Sequence, residues 1–335
     1  MTNVLQWLSP VGPTTDTPPR IPGSVRRTST VDALCPDNVE SPLVLVGRAR
    51  DLRTASDHPV SEGNAEVVAE ASTRVTIDYF GGRTVTGVHC DPAIADSDSL
   101  LGARAGAGFR TALDQAMPRL TAEGTLLGLL LDEVPVVTLI SGSAIARAIG
   151  KQPTTATMPP VNVCAGWVAG GKMDVANRED RSALMGRGAT APPLDDSSDP
   201  LGWHVTAPLP PGSIRRRRRI DVSPGPQPGE AVVEGLFRDT YCEPDGSESI
   251  IHEYAVNATV DLATGTVRST DATPHVLPGP DCPLAVASVS RVVGQRLVGL
   301  RDGLRTALTG PTTCTHLTDQ LRALADVHAL LPLLS

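Results

Sequence analysis

Gly108-Phe109-Arg110-Thr111-Ala112-Leu113 returns almost letter for letter as Gly303-Leu304-Arg305-Thr306-Ala307-Leu308, and that repeat decides how the chain is read. Other matches follow in the same order. Ser24-Val25-Arg26-Arg27 returns as Ser213-Ile214-Arg215-Arg216, and Gly47, Arg50 and Asp51 return as Gly235, Arg238 and Asp239. Leu100-Leu101-Gly102-Ala103-Arg104 matches Val292-Val293-Gly294-Gln295-Arg296, and Cys90 then falls opposite Cys282 without a gap. This order predicts a tandem duplication, with one domain present twice and a thiol and imidazole cluster in the second copy alone.

The length of 335 residues gives each copy enough chain to bury its own core. Aromatic residues make up only 3% of the chain, so the cores must be built from Ala, Val and Leu, with few rings left to stack on bases or sugars. A net charge of −8 argues against a nucleic-acid partner, because such affinity rests on phosphate neutralisation by Lys and Arg. The basic run Arg215 to Arg219 reads as a solvated start to a strand. No apolar run reaches the roughly 18 residues of a membrane helix, and no secretory leader pattern opens the chain. The expectation is a cytoplasmic protein with no membrane partner. Six cysteines in a chain this long do not form a disulfide scaffold, and they point to free thiols, metal ligands or redox chemistry.

Residues 1–24 read as a flexible lead-in, 25–150 as the first copy, 151–212 as a Pro/Gly-rich linker and 213–335 as the second copy. In the first copy, Val75 to Asp78 and Thr84 to Val88 fit strands turning at Gly81-Gly82. A helix follows through Leu101, Ala105, Phe109, Ala112 and Ala116, while Leu126 to Leu131 and Val134 to Ile140 fit either sheet or buried helix. In the second copy, strands are expected at 217–222, 231–237, 251–260 and 266–269. Along the third, Tyr254, Val256, Ala258 and Val260 share a core face, and His252, Glu253 and Asn257 are assigned to the other. A long helix is expected after Cys282-Pro283, carrying Val293, Leu297, Leu300, Leu304 and Leu308, and a last one from Thr315. The fold class is therefore α+β: two tandem copies of a small antiparallel sheet, covered by helices on one side.

Cys314-Thr315-His316 sits at the expected start of that last helix, where unpaired N–H groups and the helix dipole favour a thiolate. Cys282 opens the preceding helix, and His252 and Asp239 on the strands complete the set. Two thiolates, imidazole and a fourth ligand suit zinc or an iron–sulfur centre, so the metal candidates are Cys282, Cys314, His316, His252 and Asp239. The catalytic candidates are Cys314 as nucleophile and His252 as its base. Cys164 with His204, and Asp132 with Ser141, have no motif spacing and read as structural.

These features resemble a bacterial family called Domain of Unknown Function 2889. The resemblance rests on the Arg-rich strand start, Asp239, the His252 segment, Cys282-Pro283 and above all Cys314-Thr315-His316-Leu317. Leu130-Leu131-Asp132 to Ser141-Gly142, Cys164-Ala165-Gly166-Trp167 and Trp203-His204 resemble its two-copy members, and this similarity runs from Val25 to Leu331. It implies a fold but no activity. A remoter similarity is to NifU-like iron–sulfur scaffolds, through the helix-opening Cys282 and Cys314, although His316 follows its cysteine where the scaffold pattern places a His before it. Three readings follow: a metal- or iron–sulfur-binding protein, a cysteine-dependent enzyme acting on a small molecule, and a non-catalytic accessory module whose two copies pair within the chain.

Overall fold

The computed structural model describes residues 8–334 apart from 37, 39, 57–59, 149–158, 180–183, 185 and 197. Eight strands form one continuous antiparallel sheet in the order β4-β3-β2-β1-β5-β6-β7-β8. The first half supplies β1 (Val25–Leu34), β2 (Leu43–Thr54), β3 (Ala65–Asp78) and β4 (Thr84–Asp91). These are followed by α1 (Phe109–Ala116), α2 (Pro118–Ala122), α3 (Leu126–Asp132) and α4 (Val134–Ala148). After α5 (Lys172–Glu179) in the connector, the second half supplies β5 (Ile214–Pro224), β6 (Glu230–Cys242), β7 (Glu248–Asp261) and β8 (Val267–Val276). A 3-10 stretch (Cys282–Val292), α6 (Leu300–Ala307), α7 (Thr315–Ala323) and α8 (Val327–Leu330) then complete it. The chain is thus α+β, with two four-stranded halves joined into one sheet rather than two separate sheets. Their seam is the antiparallel pair β1·β5, from Val25↔Val222 to Ala33↔Ile214. Reciprocal ion pairs cross it: Arg26 Nε to Asp221 at 2.5 Å and Arg215 Nε to Asp32 at 2.7 Å.

Hydrogen-bond register corrects two of the sequence matches. α1 and α6 both start after a left-handed glycine, Gly108 (φ 92°) and Gly299 (φ 85°), so Phe109 answers Leu300 and Leu113 answers Leu304. The lettered match of Gly108 to Gly303 is therefore displaced by one helical turn. A slip of four residues keeps the apolar stripe on the same helix face, which is why the misalignment preserves the pattern. Cys90 also loses its partner. It lies opposite Thr73 on β4, and the corresponding position on β8 is Ala272 opposite Val256, so Cys282 opens a 3-10 stretch longer than its first-half counterpart, Ser97–Leu100, and has no equivalent residue there.

The long helix expected after Cys282 is likewise broken. Gly294 (φ 82°) and Gly299 take backbone conformations that interrupt it, and the Gly294 N–H bonds to the carbonyl of Val267 on β8. In the first half Gly102 (φ 81°) and Gly108 delay the helix to Phe109 in the same way. Leu126 to Ile140 proves to be helical. α3 is buried along its whole length, and in α4 the Thr138 and Ser141 hydroxyls donate to carbonyls one turn back, at 2.7 Å each. No single described helix is long and apolar enough to cross a membrane.

The helices lie on one face, with α3 on β2 and β3, α4 across β1 and β5, and α7 on β6 and β7. Leu317, Leu321, Leu324 and Val327 carry the second-half core toward Tyr254, Val256 and Val260. Each such buried side chain contributes about 1.5–3 kcal/mol. The opposite face of the central strands is covered by the lead-in and the connector: Thr17 donates to the carbonyl of Leu194, Arg20 pairs with Asp199, and Trp203 packs with Leu194 and Leu236. The run Arg215 to Arg219 is correspondingly not solvated. Arg216 and Arg218 point to the helix face and Arg215, Arg217 and Arg219 to the other, with only Arg217 as much as partly exposed.

Candidate functional site

A seam of ion pairs separates the two apolar cores on the helix face. Among the described residues it joins Arg27, Arg110, Arg216, Arg218, Arg301 and Arg322 to Asp51, Asp132, Glu133, Asp239, Asp319 and Asp326, six charges of each sign. Arg27 grips Asp51 through two bonds of 2.7 Å, and Arg216 grips Asp239 at 2.6 and 2.9 Å in the matching place. Arg216 also reaches Glu133, at 2.9 Å, so the first half's helices neutralise the second half's strand. Asp132 sits between Arg110, Arg301 and Arg322, whose charges hold its carboxyl well below the usual range despite complete burial. Ser141, paired with Asp132 in the sequence reading, is occupied within α4.

The two halves part company beside these pairs. Asp239 stands opposite His252 in the β6·β7 ladder, whereas Asp51 stands opposite Ala69 in β2·β3. His252 Nδ1 lies 3.1 Å from Asp239 Oδ2, and His316, on the first turn of α7, brings its Nδ1 to 3.8 Å from the same oxygen. The two imidazoles stack with centroids 3.7 Å apart and planes inclined by 25°. Donor atoms of Asp239, His252 and His316 all lie within 4.8 Å of one another, and this buried group can hold a metal ion. His252 thus shares the inward face of Tyr254, two residues along the strand, and not the opposite face assigned from sequence. Burial, reinforced by the neighbouring His252 and Arg216, pushes His316 well below the ordinary imidazole pKa, so it is neutral and available as a ligand. Arg216 NH2 lies 3.2 Å from His316 Nδ1, and since a guanidinium only donates, that nitrogen accepts.

His252 and His316 line a cavity of about 190 Å³ that also receives Cys282, Cys314 and Cys164. Cys314 is the N-cap residue of α7, where the N–H groups of His316 and Leu317 favour its thiolate, although its side chain makes no capping hydrogen bond. Cys164 was not foreseen as a site residue. The connector delivers it: the Ala165 N–H bonds to the carbonyl of Thr313 at 2.8 Å, which holds this segment beside the start of α7. Gly166 is required for this approach, since a Cβ there would sit 2.7 Å from Cys282 Sγ. His204 is elsewhere, on the opposite sheet face between the Thr28 and Thr30 hydroxyls at 2.8 and 3.0 Å. Burial outweighs the helix-start donors and pushes Cys314 up to about 12, with Cys282 also raised. Both are therefore thiols at neutral pH. Iodoacetamide at pH 7 is expected to alkylate Cys314 on the order of 100-fold more slowly in the folded protein than in urea, as read by peptide mass spectrometry.

The boundaries of this unit coincide with a family. Residues 214–330, from the first residue of β5 to the last of α8, match the model of a family described as Protein of unknown function (DUF2889). Over that segment the chain is similar to the DUF2889 family. The segment contains Asp239, His252, Cys282, Cys314 and His316, while Glu133 and Cys164, which complete the seam and the cavity, come from outside it. The match does not extend over the first half, where the resemblance to two-copy members implied it. No curated protein matches the chain and no solved structure does, so the resemblance of the DUF2889 segment to NifU-like scaffolds gains no support.

Proposed function

We propose that the second half binds a divalent metal ion through Asp239, His252 and His316. The convergence of their donor atoms within 4.8 Å carries this reading. Two imidazoles and a carboxylate form the donor set of catalytic zinc and of non-haem iron(II), with coordination positions left for a substrate, and they replace the thiolate-rich set expected from sequence. We read the halves as tandem copies of one unit. On that basis the first copy is a control, because it keeps the Arg27–Asp51 pair but has Ala69 where the second has His252. The fold therefore needs the ion pair and not the imidazole. Protein purified anaerobically should carry close to one equivalent of zinc or iron by elemental analysis, lost in His252→Ala and in His316→Ala. Cys282→Ser should retain it. Wild type that is metal-free and takes up neither zinc nor iron(II) on titration would overturn the proposal.

A second reading has its own observation. Arg216 already engages both oxygens of Asp239, and the 3.1 Å contact to His252 Nδ1 is the arrangement by which a carboxylate orients a general base. In that case the Nε2 of His252 is the working atom and no metal is needed. The thiol Cys314 on the same cavity is then a group within reach of a bound molecule rather than a nucleophile at rest.

A further inference from the structure

The cavity beside the two histidines is far less polar than a metal site alone requires. Leu139 and Ile140 of α4, Val163, Trp167 and Met173 of the connector and Leu277 after β8 form its walls, and the sulfurs of Cys164, Cys282 and Cys314 add soft, weakly polar surface. His252, His316 and Thr315 supply polar groups to the same lining, as do Ser143, Arg147, Tyr241 and Ser249. Three separate parts of the chain have to meet to build these walls. Gly166 and Gly279 both make room for them: a Cβ on Gly279 would lie 2.6 Å from Met173 Sδ and 3.4 Å from Cys282 Sγ.

From this we infer that the cavity binds a small, mainly apolar molecule, one or two rings in size, with a single oxygen-bearing group directed at His252 and His316. The size follows from the volume. An apolar cavity of about 150 Å³ accepts benzene, so 190 Å³ has room for a second fused ring. The character follows from the walls, which offer apolar contact over most of the ligand with polar groups as the minority of the surface, as small-molecule sites do. A sugar or nucleotide of equal volume would leave most of its hydroxyls without partners, at a cost in binding for each. The oxygen group follows from the histidine end, where it either completes the coordination of the metal or hydrogen-bonds to imidazole. The inference rests on the proposed site only for that last point.

The test uses the full chain with 1-naphthol as probe, glucose as a polar molecule of comparable size and 9-phenanthrol as the three-ring case. Titration calorimetry on metal-loaded protein should show saturable 1-naphthol binding with a Kd on the order of 100 µM or tighter, as expected for about eleven non-hydrogen atoms. Glucose should show none, and 9-phenanthrol should bind more weakly than 1-naphthol. Val163→Trp, which fills the cavity from the connector, should weaken 1-naphthol binding at least tenfold and leave the metal content unchanged. Stripping the metal with EDTA should weaken it less, because the apolar walls remain. Saturable binding that survives Val163→Trp, or no saturable binding by wild type, overturns the ligand inference while the metal content still reports on the centre. Binding that is lost in Val163→Trp by a wild type free of metal upholds the ligand inference and discards the metal.

Discussion

Asp239→Ala is expected to destabilise the protein by about 3–5 kcal/mol, because it leaves the buried Arg216 guanidinium without its bidentate partner. Arg216 is 1% exposed and Asp239 0%, so water cannot replace the lost carboxylate. Glu133 remains at 2.9 Å but also serves Arg218, and Asp319 remains only at 3.6 Å, where it also serves Arg110. Asp51→Ala in the first half should cost a comparable amount, since Arg27 would keep only the Gly124 carbonyl at 2.8 Å and Asp326 at 3.7 Å. The melting temperature should fall by on the order of 10 °C in each variant. The two differ in one respect. Asp239→Ala should also abolish metal loading, whereas Asp51→Ala should leave it intact, because only Asp239 faces an imidazole pair. Thermal unfolding with elemental analysis on both variants separates the structural role from the ligand role. Equal metal content in the two would remove Asp239 from the ligand set.

That contrast shows which parts of the molecule were legible in the sequence. Alternation gave the strands, and the paired Arg and Asp matches at 26–27, 50–51, 215–216 and 238–239 mark the sheet seam and its ion pairs. The order of elements could be read, but helix register could not, because a shift of one turn in α1 against α6 leaves Leu113 and Leu304 on the apolar stripe either way. Positive-φ glycines at 294 and 299 broke a helix that its leucine spacing alone supports. Asp239 and His252 were rightly set on strands, yet their contact depends on the register of β6 and β7 across the turn at Asp245-Gly246, where a bulge after Asp239 shifts the ladder. The connector was least legible. Two of the chain's three tryptophans in this stretch point to packing onto a domain but not to where: Cys164, Trp167 and Met173 pack into the second core, and Trp203 and His204 lie against the far sheet face. Such contacts arise from long-range packing and leave no periodic trace.

His204 makes the stability of the fold depend on pH, with a sign that follows from its burial. The ring is enclosed between the Thr28 and Thr30 hydroxyls, and desolvation, with Arg50 and Arg217 adding repulsion, lowers its pKa from 6.5 to about 3. The unfolded chain therefore binds a proton below pH 6.5 that the folded chain refuses until about pH 3. Because the unfolded state holds more protons in this window, stability rises with pH and falls on acidification, by about 1.4 kcal/mol per pH unit. Between pH 6.5 and pH 5 His204 alone should remove about 2 kcal/mol; His316, lowered in the same way, adds a loss common to wild type and the His204 variant, and Asp132 and Asp239, with depressed pKa values, add theirs only below about pH 4. Urea midpoints of metal-free wild type and His204→Gln, measured at pH 7 and pH 5, check this. Glutamine can still bond to both hydroxyls but does not titrate, so the wild type should lose about 2 kcal/mol more than the variant over that interval. An equal loss in both proteins would mean that the ring is hydrated enough to protonate within the fold.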